Sequence, residues 1–119
     1  RGRLYRKEGA DVVFVEAPQS EDELREIPKK IDAPLLANMI ENGVTPTFSA
    51  DELKSMGYSM VVFPLSGLYG AAYAMKKIFS QLKRTGSTKG SKHMMLDFNE
   101  FNDLVDLPRF MQMEKKYQS

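Results

Sequence analysis

The chain has no cysteine, which excludes a disulfide framework and a thiolate metal site. Its single histidine, His93, stands in a polar stretch; zinc is left without a ligand set, and a surface role is the better reading of that ring. Long apolar runs are missing as well: the longest hold about five or six residues against the roughly 20 a bilayer helix needs, and the basic opening RGRLYRK leads into no signal-peptide core. These absences lead us to expect a cytoplasmic protein without a membrane partner. An excess of one charge is also lacking, since 17 basic and 16 acidic side chains leave a formal +1, and no nucleic-acid partner is expected. What remains, 119 residues at 42% hydrophobic and 28% charged, is material for one globular domain.

What is present is a repeat of apolar runs that end on polar residues. DVVFVEA stops at Glu16, PLLANMIE at Asn38 and SMVVFPLS at Ser66, and each is followed by a helix start. Parallel strands need a crossover helix between them and read as Val/Ile/Leu/Phe runs, so this spacing predicts βα units on a parallel sheet. Ligands of such sheets sit at the carboxyl ends of the strands, which singles out those polar residues.

The intervening helices carry their own signals. Ser20 with Glu23, and Ser49 with Glu52, have the S-x-x-E spacing of capping boxes. Pro28 is expected to kink or shorten the first of these helices, and Gly57 to end the second. The longest helical pattern is GLYGAAYAMKKIFSQLKRTG, closed by Gly86. GSTKGSK then reads as a flexible connector; it lacks the full phosphate-loop pattern and follows a helix instead of a strand. Two short amphipathic helices follow, the second with Pro108 at its first position. At the other end RGRLYRKEGAD reads as the last turns of a helix with Gly9 beyond its end.

Three parallel strands form a small sheet with two open edges, which invites further pairing. We therefore expect an α/β chain that is the C-terminal part of a (β/α)8 barrel, with residues 1–86 as its last βα units and 87–119 as a connector and helices whose apolar face needs cover.

Four short pieces in order carry a resemblance: F-x-E-A at Phe14–Ala17, L-A-N at Leu36–Asn38, G-x-T-P at Gly43–Pro46 and P-L-S at Pro64–Ser66. Together they resemble the C-terminal part of the isocitrate lyase and phosphoenolpyruvate mutase superfamily, in particular its methylisocitrate lyase and 2,3-dimethylmalate lyase branch. The resemblance implies Mg²⁺-dependent chemistry on small 2-oxo or 2-hydroxy carboxylates in a homo-oligomer, a dimer or a tetramer that exchanges a late helix between subunits. By the same resemblance Glu16 is the strand-end glutamate near the metal-bound water and the substrate oxygen. A carboxylate paired to an arginine or capping a helix is its plainer alternative. Asn38 matches an amide that contacts the substrate carboxylate, Ile40 and Pro64 line the substrate site, and Ser66 is either a ligand contact or the cap of the next helix.

Departures from the family pattern narrow the substrate. Methylisocitrate lyases carry an arginine after P-L-S and another in the penultimate helix, where this chain has Tyr69 and Phe98. Losing two charge-assisted clamps disfavours a tricarboxylate. A dicarboxylate such as 2,3-dimethylmalate or oxaloacetate fits better, cleaved beside a carboxylate to release a 2-oxo acid. The family's paired metal-binding aspartates, K-x-C-G loop and strand-five arginine have no counterpart here, so the Mg²⁺ ligands are expected upstream and the 119 residues alone are expected to be inactive. A phosphonate-type mutase or hydrolase of the same superfamily, and a noncatalytic assembly module, stand as alternatives.

Overall fold

The computed structural model describes residues 1–117. The elements run α1 (Gly2–Lys7), β1 (Val13–Phe14), α2 (Glu21–Lys30), β2 (Leu35–Asn38), α3 (Ala50–Met56), β3 (Met60–Val62) and α4 (Ser66–Thr85), then a 3₁₀ helix (Lys89–Met94), α5 (Phe98–Leu104) and α6 (Leu107–Tyr117). The strands form one parallel sheet in the order β1-β2-β3. Two compact units divide after Gly70.

In the first unit the sheet has two unlike faces. Val13 pairs with Leu35 and Ala37 with Val61, and these side chains pack with Leu24 of α2 and Leu53 and Met56 of α3. Met39 and Tyr58 complete that core. The other face carries Phe14, Leu36 and Met60 in one row and Asn38 beside Val62 in the next, with Phe14, Met60 and Val62 exposed. The alternation is the period of two inherent to a strand.

Pro28 lies within α2, which continues to Lys30. A proline in a helix leaves the carbonyl four residues back without its amide donor. Here that carbonyl, on Leu24, accepts instead from the Tyr58 hydroxyl at 3.2 Å. Gly57 ends α3 in the left-handed region at φ 109°, and a Cβ there would stand 2.8 Å from that of Pro28. Proline and glycine thus let α2 and α3 approach closely.

Local expectations fared unequally. Ser49 and Glu52 form a reciprocal capping box. At α2 the exchange is shifted by one residue: the Ser20 hydroxyl accepts from the Glu23 amide, but the Glu23 carboxylate accepts from Gln19. Asp97 and Glu100 make a further reciprocal box at α5, with aspartate in place of serine as the cap. Pro108 is the second residue of α6, not its first. The Gly/Ser/Lys stretch is not a plain connector, because its second half winds into the 3₁₀ helix. Ser91, fully buried, donates to Gln81 Oε1 at 2.7 Å, and a Cβ on Gly90 would meet the same Gln81 at 2.5 Å. Among the described residues no helix is long and apolar enough to cross a membrane.

Candidate functional site

The carboxyl ends of β1 and β2 open into a cleft of about 120 Å³. Glu16, Asn38 and Ile40 line it together, beside Phe14, Leu36 and Thr45. β1 ends at Phe14, so Glu16 stands on the loop two residues past the strand and is exposed, whereas Asn38 is the last residue of β2. Strand alternation sets Leu36, Asn38 and Ile40 half-buried between the fully buried Leu35, Ala37 and Met39. Their side chains therefore leave the sheet on the face away from the helices.

Both loops turn sharply beside a carboxylate. Ala17, immediately after Glu16, has φ 52°, a left-handed conformation that costs a residue with a Cβ about 1–2 kcal/mol. Asn42, immediately after Glu41, has φ 58° and is of a type that enters this region more readily. Met39 Sδ accepts from the Phe48 amide at 3.4 Å and ties the far end of the β2 loop back to the core.

Pro64 and Ser66 do not line this cleft. They lie after β3, where Ser66 is the first residue of α4. The first backbone bond of that helix runs from the Tyr69 amide to the Leu65 carbonyl, which puts Leu65, a residue without a capping side chain, at the helix entrance. The Ser66 hydroxyl is not a cap; it donates to Glu41 Oε1. That hydroxyl, and then Glu41's own backbone amide, hold the Glu41 carboxyl below the usual glutamate value against a smaller opposing effect of burial. Glu41 Oε2 and Asn38 Oδ1 are both buried and without a donor among the described residues.

Glu41 was missed in the sequence, although it sits between the L-A-N and G-x-T-P pieces. Its signal was position alone: next to Ile40, on a loop that leaves a strand end. Among the described residues no group of three or more His, Cys, Asp or Glu comes together that could hold a metal ion.

No family model matches the chain. It is 45% identical over 117 residues to carboxyvinyl-carboxyphosphonate phosphorylmutase of Arabidopsis thaliana, covering 98% of this chain and 34% of that protein. It is 38% identical over 117 residues to 2,3-dimethylmalate lyase of Eubacterium barkeri, covering 98% of this chain and 40% of that protein. A solved 2,3-dimethylmalate lyase, a member of the PEP mutase/isocitrate lyase superfamily, superposes with a TM-score of 0.85 at 33% identity over 98% of this chain and 38% of that one. The chain is homologous to a C-terminal part of this superfamily's enzymes. Its three parallel strands and their helices match part of the (β/α)8 barrel of these superfamily structures. The chain spans only a third to two fifths of the length of these curated superfamily relatives.

Proposed function

We propose that the chain supplies one wall of the active site of an Mg²⁺-dependent carbon-carbon lyase acting on a small 2-hydroxy or 2-oxo dicarboxylate of the 2,3-dimethylmalate or oxaloacetate type. The observation that carries this reading is the meeting of Glu16, Asn38 and Ile40 in one cleft at the carboxyl ends of two parallel strands, the end at which such sheets bind ligands. In this reading the Asn38 amide nitrogen donates to a substrate carboxylate and Glu16 moves a proton at the substrate's oxygen. Ile40 lines the cleft, and Pro64 and Ser66 border the wider site from beyond β3. For a 2-hydroxy substrate, removal of the 2-hydroxyl proton lets the C2–C3 bond break: C2 becomes the carbonyl of the 2-oxo acid, and the electron pair passes to C3, which is conjugated with its carboxylate and takes up a proton; a 2-oxo substrate first adds water at C2 and leaves that carbon as a carboxylate. Mg²⁺ would be held by residues outside this segment and, when bound, would stabilise the negative charge that develops as the bond breaks.

The dicarboxylate preference rests on Tyr69 and Phe98, which offer no guanidinium for a third carboxylate. The row of Phe14, Leu36 and Met60 on the same sheet face suits a substrate that bears methyl groups. Residues 1–86 act as the last βα units of the barrel, and 87–119 pack on a neighbouring subunit of a dimer or tetramer in the cytoplasm. A second reading, phosphonate chemistry, is favoured by the name of the 45% identical phosphorylmutase.

The test is release of 2-oxo acids from C4 to C6 dicarboxylates by the intact protein with Mg²⁺. Glu16→Gln should lower turnover by roughly 10²–10⁴-fold, as removal of a general acid or base does. Unchanged turnover in that variant removes Glu16 from the site, and turnover of a phosphonate in place of dicarboxylates selects the second reading.

A further inference from the structure

The bond between Glu41 and Ser66 joins residues 25 positions apart in the chain. It therefore links two of the loops on which the site is built: the one leaving β2, which carries Asn38 and Ile40, and the Pro64–Ser66 loop entering α4. We propose that Glu41 is a positioning residue: its carboxylate, gripping the Ser66 hydroxyl, sets the distance between Asn38 and the Pro64–Ser66 loop and so shapes the substrate cleft.

Several independent features converge on this role. The acceptor is a carboxylate, which makes a stronger and shorter hydrogen bond with a hydroxyl than a neutral acceptor does. The carboxylate also places negative charge beside the amino-terminal end of a 20-residue helix whose entrance residue, Leu65, supplies no cap. Asn42 takes up its left-handed conformation directly after Glu41, so the backbone is bent at the point where the side chain must reach across. Finally, among the described residues the second carboxylate oxygen is buried without a donor, as is Asn38 Oδ1 three residues earlier. Both ends of this short segment thus keep acceptor capacity beyond the Ser66 bond, as expected where a ligand or another part of a larger site completes the network.

The catalytic consequence rests on the lyase reading above, but the link between the loops does not, and the experiment separates them. In the intact protein, Glu41→Ala, Glu41→Gln, Ser66→Ala and the Glu41→Ala/Ser66→Ala pair are compared by steady-state kinetics and by amide hydrogen exchange over the first turn of α4. Glu41→Ala is expected to raise KM for the dicarboxylate by about tenfold or more, the usual worth of a bond to a charged group, with a smaller change in kcat. Glu41→Gln, whose amide oxygen still accepts from Ser66, should restore most of that loss. The double variant should be no worse than Glu41→Ala, because both changes break one bond. Exchange in the first turn of α4 should quicken in each variant that breaks it. Multiplying effects in the double variant, or exchange that stays at the unsubstituted rate in Glu41→Ala, overturns the link. A fall in thermal stability with KM and kcat both unchanged overturns the positioning role. If the unsubstituted protein releases no 2-oxo acid, the lyase reading and the catalytic consequence fall together, and exchange alone decides the link.

Discussion

Residues 13–58 and the helices from Ala71 onward are built from similar apolar side chains and bury them to opposite extents. In the first region Leu24, Leu35, Met39 and Leu53 are essentially inaccessible and share one core. In the second, Ser91 is the fully buried side chain among the described residues, while Phe98 is 80% exposed and Phe101, Leu104 and Phe110 are each more than half exposed. Each region has a helix with a reciprocal capping box, at Ser49/Glu52 and Asp97/Glu100. Good local signals therefore make a helix in either region, but only in the first do the helices share a core with the sheet. An amphipathic helix draws most of its stability from packing of its apolar face, so the second region's helices depend on what lies against them.

The sharpest way to test that contrast is a pair of truncations. Leu53→Ala should cost about 2–5 kcal/mol in urea unfolding, because it opens a cavity in a closed core, whereas Phe98→Ala should stay within about 0.5 kcal/mol for this chain. A Phe98→Ala cost as large as that of Leu53→Ala in the intact protein would mean that the α5 face is covered there.

Next in size is the bond that lets α2 tolerate a proline. Tyr58→Phe should cost about 1–3 kcal/mol by leaving the Leu24 carbonyl buried without a donor. In a Pro28→Ala background the alanine amide can bond that carbonyl, so the same change should cost clearly less. Equal costs in the two backgrounds would break the explanation.

Smaller still are the caps, which should show no contrast at all. Ser49→Ala and Asp97→Ala should each lower stability by about 1 kcal/mol, since a cap acts within its own helix. An Asp97 cap worth nothing would show α5 to be held by its surroundings instead.

The gentlest probe is acid. The Ser49 hydroxyl, and then the Ser49 amide, lower the Glu52 pKa from 4.5. A carboxyl whose folded pKa is depressed contributes stability that is present above 4.5 and is lost as pH falls through the folded value. Stability measured from pH 5 downward should therefore fall less in Glu52→Gln than in the unsubstituted protein.

Much of this architecture was legible in the chain. The runs ending near Glu16, Asn38 and Ser66 correspond to three parallel strands, and the four short motifs pointed to the superfamily that the homologues bear out. Helix ends at Ser49, Gly57 and Gly86 were readable because capping is a contact between residues three or four apart. What replaces the amide that Pro28 lacks was not legible, for the complementary reason: the donor to the Leu24 carbonyl is Tyr58, 34 positions away. Ser66 matches a cap by residue type, yet its partner is Glu41, which no local rule connects to it. The Lys89–Met94 turn hides in a glycine, serine and lysine stretch because Gln81 holds it in place.

Sequence by itself determined what depends on neighbours along the chain: the alternation of strand and helix, the caps, the parallel order that βα repetition requires, and the absence of a thiolate or histidine metal set. Tertiary structure alone decided which strand-end side chains meet. It grouped Glu16, Asn38 and Ile40 in one cleft, set Pro64 and Ser66 apart from it, and joined Ser66 to Glu41. The physical reason is that a hydrogen bond or a cleft forms between groups close in space, and only folding brings residues dozens of positions apart to that distance.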